Sequence, residues 1–203
     1  FFDEAGLGYN AYSLLLTGKD ERGNILPVSI ASMDYKPGLY SYLTIPVVKI
    51  LGLNQSSTRI VSAVFGTLSL IFLLLIFKQL FSNSWWTAFG ITVFLSFLPW
   101  RLHYSRIAFE PNLSMMFFTA SVWCLVRYGT KFKSYFYFIL FSVLAIYAYH
   151  ASRLAIPLLF ILYVFDPLHL DFWKHLKLDW VVSLKKLWPL VIIILLIIPI
   201  LIA

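Results

Sequence analysis

Eighteen consecutive residues, Ile60 to Phe77, carry no formal charge. At 1.5 Å per residue a helix of that length covers about 27 Å, close to the hydrocarbon thickness of a bilayer. Further uncharged blocks follow at Trp85–Trp100, Pro111–Val126, Tyr135–Tyr149, Leu154–Phe165 and Leu187–Ala203. Only 12% of the chain is Asp, Glu, Lys or Arg, against about 25% in a soluble domain. A chain of this size leaves roughly a third of its extended-state surface in contact with solvent, so long apolar runs cannot easily be hidden in water. The expected fold class is an all-α polytopic membrane protein. Lipid offers no partner for an unpaired backbone N–H or C=O, which favours helices. Barrel strands would alternate polar and apolar residues, and runs such as Leu70–Phe77 do not. Trp85, Trp86 and Trp100 stand at block ends, where interfacial anchors belong.

Spans are expected near 60–77, 85–100, 111–126, 135–149, 153–165 and 187–203. Several are shorter than the roughly 20 residues a span needs, and flanking Arg and Lys would have to snorkel. The block after His150 needs Ser152 and Arg153 in its first turn, or it is re-entrant. Connectors 78–84, 127–134 and 166–186 hold eight Lys or Arg against three Asp. Segments 1–59, 101–110 and 150–153 hold eight against six acidic residues over about twice the length. The positive-inside rule then puts the first set in the cytoplasm and the Asp3 segment outside. Phe172, Trp173, Leu176, Trp180 and Leu184 space segment 166–186 as an amphipathic surface helix. The domain reading is an outer loop with juxtamembrane helices over 1–58, then a helical bundle over 59–203. The opening Phe1-Phe2-Asp3 and the closing apolar run read as cut ends, with Phe1 and Phe2 closing a preceding membrane helix.

The net charge of +7 is scattered among apolar blocks with no dense basic stripe. That distribution fits headgroup contact and orientation, not nucleic acid. Cys124 is the only cysteine, so no internal disulfide can form and thiolate metal sites are disfavoured.

Residues 1–58 are the most polar stretch. Ala5 to Leu16 reads as a short helix stopped by Gly18, with Asp3 and Glu4 at its N-terminal edge. Residues 19–24 read as a turn. Leu39–Leu51 reads as a helix interrupted by Pro46, entering the membrane or lying along it. Adjacent carboxylates at a membrane boundary are either a solvated cap or working groups. As neighbours in a helix Asp3 and Glu4 point about 100° apart, which rules against a glycosidase-like pair. In Tyr35-Lys36-Pro37-Gly38 the proline holds Lys36 extended, where it is either an interfacial lysine or a phosphate contact. Between the second and third blocks Arg106 and Glu110 are four apart and able to pair across a helical turn. Alternatively, Arg106 binds an anionic substrate while Glu110 positions it or a cation. His103 is a proton carrier or a satisfied interfacial histidine. A third outer cluster holds Tyr147, Tyr149, His150 and Arg153, with His150 and Arg153 on one helix side. The histidines and carboxylates leave a divalent cation possible, but no short-range ligand motif supports one.

A resemblance joins these pieces. Asp3-Glu4-Ala5, Tyr9-Asn10-Ala11-Tyr12-Ser13-Leu14-Leu15, Thr17-Gly18-Lys19-Asp20, Gly23-Asn24 and Pro27 are followed by Tyr35-Lys36-Pro37, Tyr40, Tyr42-Leu43 and Ile45-Pro46. Then come Arg59, Ser62-Ala63, Phe65-Gly66-Thr67, Pro99-Trp100, Ser105-Arg106 and Glu110. Over about the first 160 residues this pattern resembles the protein O-mannosyltransferase and aminoarabinose-transferase group. The resemblance implies part of a C-type glycosyltransferase transmembrane fold and a donor sugar carried on polyprenyl phosphate. Its acceptor would be a protein, lipid or glycan hydroxyl, with transfer proceeding by inversion. It implies Asp3 as catalytic base with Glu4 beside it, Lys36 on the donor phosphate, and the Arg106–Glu110 region as a second polar patch. Gly38 departs from the pattern, since many relatives have a second proline there. The implied setting is a prokaryotic plasma membrane, with the active site on the extracytoplasmic face. Two other readings stand beside it: a transporter or flippase of lipid-linked sugar, disfavoured by the lack of charge within the blocks, and a catalytically inactive glycan-assembly subunit.

Overall fold

The computed structural model describes residues 2–31, 35–81, 84–128, 132–165 and, near the C-terminus, 189, 191–193 and 195. Segment 166–186 and most of block 187–203 lie outside the described residues. The fold is all-α apart from one short strand pair. Helix α1 (Phe2–Thr17) leads to β1 (Ser29–Ala31) and β2 (Tyr35–Pro37), then to α2 (Leu39–Leu51) and α3 (Gln55–Leu80). There follow α4 (Trp85–Ser96), α5 (Pro99–Ser105), α6 (Glu110–Tyr128), α7 (Phe132–Ala148) and α8 (Ser152–Phe165).

Local chemistry sets the boundaries. Gly18 has φ +69° and closes α1, donating its N–H to the Leu14 carbonyl at 3.0 Å; a left-handed residue at that position suits glycine. Gly52 ends α2 at φ +75° and ψ 172°, an extended positive-φ conformation that only glycine adopts readily. Asn54 opens α3 with a capping box: its side chain accepts from Ser57 N at 2.8 Å, and Ser57 Oγ accepts from Asn54 N at 3.1 Å. Pro46 is accommodated inside α2.

Two differences from the sequence expectations have clear causes. The block Trp85–Trp100 is not one helix: α4 stops at Ser96, and Pro99 starts α5 at its first position. Leu98, before the proline, is held extended (φ −59°, ψ 133°), as the Pro ring demands. The segment around Lys36, where no strand was expected, is extended as its proline requires and forms the second strand of an antiparallel pair with Ile30 opposite Lys36. Strands of three residues are too short for alternation to reveal.

Helix α6 is the centre of the packing, set against α3 on one side and α7 on the other, while α1 packs on α2. Leu113, Met116, Phe117, Ala120 and Cys124 form its buried stripe at helical spacing. Phe117 meets Phe65 of α3 with ring centroids 5.7 Å apart, and Phe138 of α7 stacks on Phe160 of α8 at 5.0 Å. Among the described residues one helix, α3, is long and apolar enough to cross a membrane; its 26 residues cover about 39 Å. Helices α4, α7 and α8 are apolar but shorter, at 12, 17 and 14 residues.

Candidate functional site

The first turn of α1 sends its two carboxylates in different directions, as their 100° separation requires. Glu4 is buried and bound on both oxygens. Arg59 of α3 donates from Nε to Oε1 and from Nη2 to Oε2, the latter at 2.9 Å. The backbone N–H of Ala108 also donates to Oε1, at 3.1 Å. The Arg59 guanidinium holds the Glu4 carboxyl below its ordinary range, against the opposing effect of burial. This forked pair fixes α1 to α3 and to the loop before α6. Glu4 is thereby committed to structure. Arg59, in the first turns of the long apolar helix, was the residue whose spacing gave no warning of this partnership.

Asp3 keeps a side chain that is 57% exposed, and Lys36 Nζ lies 2.7 Å from its Oδ1. Pairing with Ile30 in the strand register fixes the direction of Lys36. Gly38 N donates to the Val28 carbonyl at 2.9 Å, and the Tyr42 hydroxyl bonds the Pro27 carbonyl at the same distance, which pins the hairpin to α2. Gly38 suits this close approach, since a Cβ there would stand 3.1 Å from the Val28 oxygen. The same lysine reaches toward a second carboxylate, Glu110 Oε1, at 3.9 Å. Glu110 is almost wholly buried at the start of α6, and burial pushes its carboxyl above the ordinary range. Its Oε1 has no hydrogen-bond partner among the described residues. The loop presenting it is fastened to α3. Asn112 Nδ2 donates to Ser62 Oγ at 2.9 Å and to the Tyr104 carbonyl at 2.8 Å, and Ser62 Oγ donates to that carbonyl as well.

His150 completes the group from the turn between α7 and α8. Its Nε2 lies 2.9 Å from the Tyr35 carbonyl oxygen. A carbonyl only accepts, so Nε2 carries the proton and Nδ1 is left as the acceptor in the neutral ring. Tyr35, Lys36, Pro37, Phe109, Glu110, Tyr149 and His150 line a cavity of about 450 Å³. Asp3 lines a small adjoining recess that shares Lys36 and Pro37 with it. Phe109 is a lining residue that sequence spacing gave no reason to select.

The structure thus brings Asp3, Tyr35, Lys36, Glu110 and His150 together. It does not bring in the others. Arg106 caps the C-terminus of α5 and is exposed, and the backbone between it and Glu110 is not helical. The expected Arg106–Glu110 pairing across one helical turn therefore fails, because the turn itself is absent. His103 is exposed on α5 beside Tyr104, with ring centroids 5.8 Å apart. Arg153 lies in the first turn of α8, where its N–H donates to the His150 carbonyl at 3.0 Å, and it does not line the cavity. His150 precedes α8 in a turn, so the two do not share a helix side. Among the described residues no three His, Cys, Asp or Glu side chains converge as a metal site.

Comparison with known proteins yields no matching family model, no matching curated protein and no matching solved structure.

Proposed function

We propose that this chain belongs to a polytopic membrane glycosyltransferase of the C-type fold. In this reading it moves a sugar from polyprenyl phosphate to an acceptor hydroxyl on protein, lipid or glycan, at the extracytoplasmic face of a prokaryotic plasma membrane. The observation that carries the reading is the position of Lys36, in ion-pair contact with the exposed carboxylate of Asp3 and beside a polar cavity. A general base and a phosphate-binding cation must border one site, because they serve the attacking oxygen and the leaving group on opposite faces of the same carbon.

The membrane part of the proposal draws on α3. Only 22% of its most apolar window is buried within the chain, whereas the core helix of a soluble protein is mostly covered. Trp86, Phe89, Phe94, Phe97 and Trp100 are likewise exposed along α4 and α5. Soluble monomers rarely show a contiguous apolar surface of that kind.

In the proposed reaction the acceptor oxygen attacks the anomeric carbon from the face opposite the phosphate. Asp3 takes the hydroxyl proton. The bond from the anomeric carbon to the phosphate oxygen breaks, its electron pair stays on that oxygen, and the configuration inverts. Phosphate is a competent leaving group without protonation, and the Lys36 ammonium stabilises its charge. Donor phosphate must draw Lys36 away from Asp3, which frees the base as the substrate arrives. Asp3→Asn should lower transfer by at least about 10²-fold, the usual contribution of a positioned base, with the protein still folded and inserted. The assay is transfer from a panel of polyprenyl-phosphate sugars by the reconstituted full-length protein. Near-normal turnover by the variant would remove Asp3 from the mechanism.

A further inference from the structure

We infer that Glu110 reads the sugar itself, its carboxylate turning to accept a hydrogen bond from a hydroxyl of a monosaccharide seated in the 450 Å³ cavity with its phosphate toward Lys36. The inference rests on the transferase reading and assigns the part of the donor that this cavity holds. A carboxylate oxygen in a protein interior is normally satisfied, and an orphan on a cavity-lining residue marks a group that a ligand can engage. Glu110 is 3% exposed, and its Oε1, itself closed off from solvent, has no hydrogen-bond partner among the described residues. Lys36 Nζ, at 3.9 Å, is beyond hydrogen-bond range.

The lining narrows the ligand class. Glu110 needs a donor, so a bare phosphate, which brings negative charge and few donors, does not complement it. Lys36 disfavours a cationic ligand, so an amine alone does not fit either. A molecule with hydroxyl donors and an anionic end satisfies both walls. Tyr35, Phe109 and Tyr149 add aromatic surface suited to the C–H face of a pyranose or furanose ring. The volume lies in the usual range for small-ligand sites, about 300–1,000 Å³, enough for a sugar and its phosphate. The isoprenoid chain would lie outside it.

The test is equilibrium binding to the full-length protein in nanodiscs. The ligands are a short-chain isoprenyl phosphate, bare or carrying glucose, mannose, galactose or arabinose. Wild type should bind one sugar-bearing form at least about tenfold more tightly than the bare phosphate, in line with a hydrogen bond to a charged group. Glu110→Met should erase that difference, whatever it does to the bare ligand through Lys36, and Glu110→Gln, which keeps an acceptor oxygen of the same shape, should retain most of it. Equal weakening of both ligands in Glu110→Met would mean that Glu110 acts only by holding Lys36, and would overturn the inference. A panel of monodeoxy sugars on wild type needs no variant: loss of one particular hydroxyl should cost about tenfold. Uniform affinity across that panel also overturns it. If wild type binds neither bare nor sugar-bearing phosphate, the transferase reading falls first and this inference with it.

Discussion

Gly8 lies where α1 crosses α3, and the crossing has no room for a methyl group. A Cβ at Gly8 would stand 2.5 Å from Thr58 Cγ2, about 0.9 Å inside the 3.4 Å at which ordinary contact begins. Thr58 is not free to turn away. It is buried, its Oγ1 donates to the Gln55 carbonyl at 2.9 Å, and its own carbonyl accepts from the Tyr40 hydroxyl at 2.7 Å. Overpacking of this kind costs about 1–3 kcal/mol, while replacing Gly by Ala within a helix gains about 1 kcal/mol. Gly8→Ala alone should therefore destabilise by roughly 0–2 kcal/mol, too wide a range to be decisive. A second substitution makes it so. Thr58→Ser removes Cγ2 and keeps Oγ1; the next close atom, Leu53 Cδ1 at 3.3 Å, is the end of a flexible side chain. In that background Gly8→Ala should stabilise by up to about 1 kcal/mol, because only the helix propensity remains. The coupling between the two sites is then the clash itself, about 1–3 kcal/mol. For a chain of this length it corresponds to roughly 2–12 °C in melting midpoint. Thermal unfolding of the four proteins in one detergent measures it. A coupling below about 0.5 kcal/mol, the usual scatter of independent sites, would show that α1 and α3 are not in this close contact.

Two further outcomes follow from the same packing. The Glu4 carboxyl has a folded pKa below the ordinary 4.5, so its contribution to stability is fully present above that value and is lost as pH falls through the lower folded value. Melting midpoints measured between about pH 3 and 7 should therefore fall on the acid side in wild type. Glu4→Gln should be less stable at neutral pH with a flatter acid limb, and parallel limbs would refute the assignment. Cys124, the one cysteine of these 203 residues, is buried, so a thiol introduced on their surface reports apart from it. In lipid vesicles Phe94→Cys should react far more slowly with a membrane-impermeant maleimide than Arg106→Cys on the exposed end of α5. Equal rates would place the α4 surface in water and end the membrane reading.

The helices were legible because charge-free runs and glycine or proline stops act over short distances. Gly18 ends α1, Leu39–Leu51 is α2, and Ser152 and Arg153 open α8. Even the division of α4 from α5 was written in Pro99, though uniform hydropathy across Trp85–Trp100 concealed it. The site was legible only as a set of residue types. Spacing put Arg106 with Glu110, yet the backbone leaves the helix between them, and Lys36 takes that place from a strand 74 positions upstream. No local rule reports such a partner, because tertiary packing chooses it.

That packing gives the two adjacent acids of α1 separate duties. Glu4 is bound by Arg59 on one side and by the N–H of Ala108 on the other, and Ala108 lies two residues before Glu110. The bond therefore joins the residue next to Asp3 to the loop that carries Glu110. Lys36 sits between the two groups so placed, at 2.7 Å from Asp3 and 3.9 Å from Glu110. A substitution that frees Glu4 should therefore disturb both sides of Lys36 together, although Glu4 does not line the cavity at all. A change at Asp3, which is half exposed and makes one ion pair, should leave Glu110 where it is. The acid that holds the fold and the acid left free for chemistry differ by a single position, and what separates them is the 100° turn of the helix.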